Sequence, residues 1–192
     1  MRYFLDILQA AGVGSATGIR PFLPALVAGA LGRANAGVDF EGTSFAFLES
    51  PVFLAALVVG VVVSLVLRRR RPDNPQLDSA LSGIGVGLGA LFGAGTMDDR
   101  FSVWWPGLIV GGLSALLASA ATRSLLLRVR ARLDREARAA LPAYEAGAGM
   151  VVAGACIALP PLAVVVLGFL VWLLLGSRRR GREKYAGLRI LR

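Results

Sequence analysis

Of the 21 Lys and Arg residues, all but Arg2, Arg20, Arg33 and Arg100 fall into three runs, Arg68 to Arg71, Arg123 to Arg138 and Arg178 to Arg192. Each run directly follows a stretch too apolar for a soluble surface. Short cytoplasmic loops of membrane proteins carry such an excess of Lys and Arg, so the runs predict which ends of the apolar stretches face inward. Composition agrees, with 56% hydrophobic residues, 17% charged residues and a mean hydropathy of +0.67. The expected fold is all-α, a polytopic membrane helix bundle occupying residues 1–192 as a single transmembrane domain in the bacterial cytoplasmic (inner) membrane, with a cytoplasmic C-terminus.

A net charge of +9 raises the question of nucleic acid. Here the basic residues follow apolar spans instead of interleaving with aromatics, so no nucleic acid is expected. Anionic lipid headgroups are the expected partners of Arg68–Arg71, Arg123–Arg138 and Arg178–Arg182. The opening Met1-Arg2-Tyr3-Phe4-Leu5 lacks a charged leader and a small-residue cleavage pattern, so no removable signal is expected. The chain has no His and the single Cys156, which leaves no metal-ligand set, no cofactor site and no Ser/His/Asp or Cys/His machinery. An enzyme is not expected.

Pro51 to Leu67 reads as a clean span preceded by an external loop, Arg33 to Ser50, in which Asp39, Glu41 and Glu49 outnumber Arg33. Pro72-Asp73-Asn74-Pro75 makes a cytoplasmic turn, and Asp78-Ser79 is the expected cap of the next helix. Ala80 to Gly95 runs outward with Gly85, Gly89 and Gly93 on one smooth stripe, which another helix should approach closely and through which a homo-oligomer could form. Thr96 to Phe101 is expected as an external loop, and Pro106 to Leu127 returns to the six-Arg segment, expected as an amphipathic cytoplasmic extension of that helix. Leu141 to Gly176 is twice the length of one crossing, and Leu159-Pro160-Pro161 divides it into two helices. The tail from Ser177 is expected as a solvated basic segment.

Phe4 to Ala16 and Pro21 to Gly32 are each too short to cross a hydrocarbon core of about 30 Å. Two readings stand: one kinked span, or a re-entrant hairpin that turns back at Arg20. A weak internal repeat favours the hairpin. Pro24, Leu26, Gly29 and Leu31 match Pro106, Leu108, Gly111 and Leu113, and Gly14 to Thr17 match Gly93 to Thr96. With the basic runs inside, the two copies enter from opposite faces, as in the inverted repeats of many transporters. The units would be 1–71 and 72–158, followed by an extra helix at 159–177 and a basic tail at 178–192.

Gly12 to Pro24 holds the residues best suited to a site. A helix beginning at Pro21 presents free N–H groups and positive dipole. With Arg20, Gly18 and the hydroxyls of Ser15 and Thr17 nearby, the turn could hold a carboxylate or phosphate. The structural alternative is that Arg20 snorkels to headgroups or pairs with an ordinary acid, while the glycines serve packing. Asp98, Asp99 and Arg100 occupy the mirrored turn and could gate an entrance or couple an ion. Asp6 and Glu145, inside or at the edge of apolar helices, are candidates by default, with Asp6 the expected counterion of Arg20 in a closed hairpin.

Gly18-Ile19-Arg20-Pro21-Phe22-Leu23-Pro24 resembles the Gly-Leu/Ile-Arg-Pro-Phe-Leu-Pro signature of an uncharacterised bacterial membrane-protein family, domain of unknown function 4126. The likeness extends loosely through the Pro72 to Asp78 turn and the glycine-rich helix after it. It implies a multi-pass fold and no particular activity. The function expected from the residues is a membrane transporter or flippase for a small organic anion or lipid-linked phosphate. The alternatives are a non-transporting scaffold with basic cytoplasmic edges and an oligomeric channel.

Overall fold

The computed structural model describes residues 2–70, 74–101, 103–130 and 132–186, and of positions 2, 99–101, 135, 136, 138, 139 and 177–186 the backbone only. These residues form seven α-helices and no strand: α1 (Arg2–Ile19), α2 (Phe22–Arg33), α3 (Pro51–Arg70), α4 (Pro75–Phe101), α5 (Trp105–Arg130), α6 (Arg135–Ala158) and α7 (Leu162–Ala186), with a 3-10 turn at Ala46–Glu49 before α3. Four segments, Pro51–Arg70, Pro75–Asp98, Trp105–Arg130 and Ala140–Ala158, are long and apolar enough to cross a membrane.

Local chemistry starts and stops these helices. Ser50 caps α3, its Oγ accepting from Phe53 N–H at 3.2 Å, and Pro51 takes the first helical position, where its missing N–H costs nothing. Asn74 and Pro75 repeat the arrangement for α4: Asn74 Oδ1 accepts from Gln76 N–H at 2.9 Å. The cap is therefore Asn74, not the Asp78-Ser79 pair expected from sequence, because a proline at the first position sets the helix start one turn earlier. Asp134 caps α6 by accepting from Ala137 N–H at 2.9 Å, which splits the six-Arg segment between the end of α5 and the start of α6. It is not one amphipathic extension. Leu159, held extended at φ −135° and ψ 81° ahead of Pro160-Pro161, ends α6 where the sequence placed the break. Thr96 to Phe101, expected as a loop, continues α4, and the backbone of α7 stays helical to Ala186 instead of ending near Ser177.

What meets at each end of the bundle sets the helix directions. At one end, here the Arg end, a single cleft is lined by Gly18 at the end of α1, Arg68 at the end of α3, Asp78 early in α4, Arg130 at the end of α5 and Glu145 in α6. At the opposite end, Asp6 and Gln9 from the start of α1, Asn35 and Asp39 after α2, and Thr96 late in α4 line a second cavity. Gln9 Nε2 donates there to Gly37 O at 2.8 Å and to Ile157 O at 3.3 Å, bringing in the end of α6. So α1, α3 and α5 run toward the Arg end, while α2, α4 and α6 run away from it. The N-terminal segment thus turns back at Arg20 as an open hairpin, with α6 packed against both arms.

α1 is the central element. Every residue from Leu8 to Gly18 is buried, because α4, α5, α6 and α7 surround it. Its contact with α4 and α5 is made of glycines. A Cβ on Gly14 would strike the Gly111 backbone, one on Gly18 the Ala115 carbonyl, and one on Gly89 would lie 2.7 Å from Thr17 Oγ1. Gly85, Gly89 and Gly93 are thereby covered by α1 and α5 within the chain, which is the close helix approach expected of the stripe. α3 is the opposite case: of its span only 6% is buried, with Leu57 seated in the core and the Phe22 ring lying against Gly60. The segment between α2 and α3 is more than a surface loop. It buries Phe40 and Leu48 completely, and Phe40 meets Phe92 edge-to-face at 5.9 Å.

Candidate functional site

The break between α1 and α2 follows from Pro21, which cannot donate to the α1 ladder and whose ring opposes helical geometry before it. The ladder ends on Arg20 N–H to Ala16 O at 3.2 Å. Pro21 caps α2 without a side-chain hydrogen bond. Pro24 removes another N–H from the first turn, so this helix start offers fewer free donors than an ordinary one. The charge at the turn therefore resides in Arg20 itself.

Arg20 is 9% exposed, and its Nη2 lies 2.8 Å from Glu145 Oε2. The same nitrogen reaches Pro142 O at 3.4 Å, within α6. Glu145 is 8% exposed. Neither group is saturated: among the described residues Arg20 Nε and Glu145 Oε1 have no hydrogen-bond partner. Asp6, expected as the counterion, sits at the far end of α1 in the second cavity, because fourteen residues of helix separate it from the turn by about 20 Å. The acid that answers Arg20 comes instead from α6.

The cleft at the Arg end opens beside this pair. Gly18, Pro21 and Glu145 line it, as do Arg68, Arg123 and Arg130. Arg68 Nη2 pairs with Asp78 Oδ1 at 3.1 Å, tying the end of α3 to the start of α4. Among the described residues these two ion pairs border the cleft, and the side chains of Arg123 and Arg130 line it as well. Ser82 and Thr122 contribute hydroxyls, and Leu81 and Leu126 an apolar wall.

Of the residues singled out from sequence, the structure brings together Gly18, Arg20, Pro21 and Glu145. It removes Ser15 and Thr17 from the site. Both are fully buried in α1 and donate to their own helix, Ser15 Oγ to Ala11 O at 2.8 Å and Thr17 Oγ1 to Gly14 O at 2.9 Å. A buried hydroxyl on a helix without an outside partner turns to the preceding carbonyls. Asp98 lies at the other end, accepting from Ser44 N–H at 3.0 Å; the side chains of Asp99 and Arg100 lie outside the described residues. Sequence reasoning missed Arg68 and Asp78 as neighbours of Arg20, Arg123 as part of the cleft wall, and Gln9 as the polar clasp of the opposite end. A glutamine inside an apolar run was the available signal for the latter. Among the described residues no group of three His, Cys, Asp or Glu could hold a metal ion.

Fold and site together define a compact helical membrane protein with a buried ion pair at a broken helix hairpin. The chain belongs to the family described as Domain of unknown function (DUF4126), which matches residues 7–180. No curated protein and no solved structure matches it.

Proposed function

We propose that this protein carries an anion bearing a carboxylate or phosphate across a membrane, binding it at Arg20 in competition with Glu145. The observation that carries the reading is the buried, incompletely bonded Arg20–Glu145 pair, whose Glu145 lines a cleft together with Arg68, Arg123 and Arg130, with Gly18, Ile19 and Pro21 beside Arg20 on the same wall. A guanidinium is suited to carboxylate and phosphate oxygens, and its present partner is a side chain that a ligand of the same chemistry can replace. The apolar wall of Leu81 and Leu126 favours a ligand with a hydrocarbon part, whether a free organic anion or a lipid carrying a phosphate.

The helix directions support an alternating mechanism. Taken in order, α1, α2 and α3 run in, out and in relative to the Arg end, whereas α4, α5 and α6 run out, in and out. Pro24 and Pro106 both fall in the first turn of a helix, and Gly29 and Gly111 are both buried. This arrangement supports two inverted units, with cavities approaching from both ends of α1. The Arg runs favour the cytoplasmic side for the Arg end.

Glycerol 3-phosphate and dihexanoyl phosphatidic acid share a phosphate monoester and differ in their acyl chains. Purified protein should be thermally stabilised by the second, and by the first as well if the headgroup suffices; Arg20→Gln should lose both responses. Equal shifts in the wild type and in Arg20→Gln, or no shift with either compound, refute the site. Binding without movement of the bound compound across proteoliposomes would leave a scaffold instead of a transporter.

A further inference from the structure

This inference rests on the anion reading above and names the form in which the anion arrives. The cleft exists because α1 stops short: Gly18, in its last turn, lies against Ala115, whereas α5 continues to Arg130. α5 and α6 both line the cleft, yet they pack on α1 and α7 and not along each other. The apolar wall of the cleft is graded. Leu81 is 6% exposed, Leu126 is half-buried and Leu127 is 66% exposed, so the wall leads from the protein interior onto the outer surface of α5.

Depth places that surface. Trp104 and Trp105, both exposed, stand at the far end of α5, and indole rings favour a membrane interface. About 33 Å of helix separates Trp105 from Leu127, against roughly 30 Å for a bilayer core, so Leu127 comes to the opposite headgroup boundary. Arg123 lies one turn deeper than Leu127 and Arg130 about one turn farther out, and Arg68 enters the cleft from the end of α3. Guanidinium groups therefore line the cleft at the level where lipid phosphates lie. A water-borne anion gains nothing from a leucine wall continuous with the membrane-facing surface, whereas a lipid keeps its chains on it. We infer that the anion held in this cleft is the phosphate of a membrane lipid, entering sideways from the leaflet at the Arg end with its chains against Leu126 and Leu127. Arg123, exposed and without an ion pair among the described residues, meets the phosphate first, and the enclosed Arg20 beside Glu145 meets it after.

The full chain is reconstituted in phosphatidylcholine liposomes carrying a trace of either phosphatidic acid or phosphatidylcholine with the same photoreactive acyl chain, and mass spectrometry of peptides locates the labels. Phosphatidic acid should label Leu126 and Leu127 about tenfold more than phosphatidylcholine does, the factor of one charge-assisted hydrogen bond. Arg123→Gln, a change at an exposed position, should lower that excess about fivefold, the factor of one Arg at a membrane surface. Equal labelling by the two probes, an excess spread evenly over the exposed valines of α3, or an excess unchanged by Arg123→Gln overturns the lipid inference. If glycerol 3-phosphate nonetheless stabilises the wild type and not Arg20→Gln, the anion site stands without it. No response to either phosphate compound overturns both. Should a variant fail to fold, the wild-type comparison of the two probes decides.

Discussion

Adjacent glycines on α5 should respond to alanine with opposite signs. A Cβ on Gly111 would collide with the carbonyl oxygen of Gly89 and lie 3.2 Å from Gly93 Cα, so α4 and α5 must move apart to admit it. A Cβ on Gly112 meets nothing nearer than Ala90 Cβ at 3.5 Å, an ordinary contact. Alanine is favoured over glycine in a helix by up to about 1 kcal/mol, and by less where the helix persists in the unfolded state. Overpacking a tight interface costs about 1–3 kcal/mol, with the upper part of that range expected here because the obstacle is backbone. Gly111→Ala should therefore lose about 2 kcal/mol net and Gly112→Ala gain up to about 1 kcal/mol, a spread of roughly 6–12 °C in melting temperature for a chain of this size. The protein supplies its own reporter. Cys156 is the single cysteine and is fully buried beside Gly12, so a thiol-reactive dye follows unfolding without labelling mutations. If Gly111→Ala melts no lower than Gly112→Ala, the glycine-to-glycine contact of α4 and α5 is not a feature of the folded protein.

Truncating Arg20 to Met alone should destabilise by about 3–5 kcal/mol, because Glu145 is left buried without its partner, whereas Arg20→Met combined with Glu145→Met should recover most of that loss; thermal melts of the four proteins of the cycle measure it. Glu49, buried at the 3-10 turn, has its carboxyl pushed above the ordinary range by desolvation, against a lowering hydrogen bond from the Phe40 backbone. A raised folded value means that stability is highest below the ordinary carboxylate range and falls as pH rises through the interval up to the raised value. Glu49→Gln should remove that fall, so the variant gains on the wild type at neutral pH and loses its advantage in acid; melting across pH 4 to 8 tests this. Gly37 sits at φ +86° with Ile157 against it, and Gly37→Ala should cost about 1–2 kcal/mol from strain alone. Gly42→Ala, at φ +77° in open space, should cost less, and equal losses would remove the role given to Ile157.

The apolar spans and the Pro160-Pro161 break were legible because each depends on neighbours in sequence: length, hydropathy and a missing N–H. The hairpin at Arg20 was legible as one of two forms, since Pro21 and Pro24 dictate a break without dictating the angle. Boundaries went astray where two local signals competed. Asn74-Pro75 and Asp78-Ser79 are both plausible starts, and the earlier one prevails because it satisfies the first N–H groups before the helix reaches the second. Thr96 to Phe101 looked like a loop for its charges, yet the helix persists and Asp98 serves a distant backbone N–H at Ser44. The partner of Arg20 was illegible for a different reason. Glu145 lies on α6, and no periodicity relates two helices separated by most of the chain; only the packing of α6 between the arms of the hairpin brings them together.

The least lipid-like helix has been placed where lipid cannot reach it. α1 carries Asp6, Gln9, Ser15 and Thr17 and is not among the helices apolar enough to cross a membrane, yet it is buried on all sides from Leu8 to Gly18. The membrane-facing surface is left to others, above all α3, whose valines at positions 52, 59 and 62 are more than half exposed. Enclosure of a polar helix by apolar ones requires that its polar groups be satisfied within the protein, as the backbone bonds of Ser15, Thr17 and Gln9 show. It also means that the two cavities at the ends of α1 are separated by about 20 Å of protein, less than the roughly 30 Å of a bilayer core. What fills that interval is a contact between glycine surfaces on α1, α4 and α5, backbone against backbone, so a side chain added at Gly14, Gly93 or Gly111 would force the helices apart.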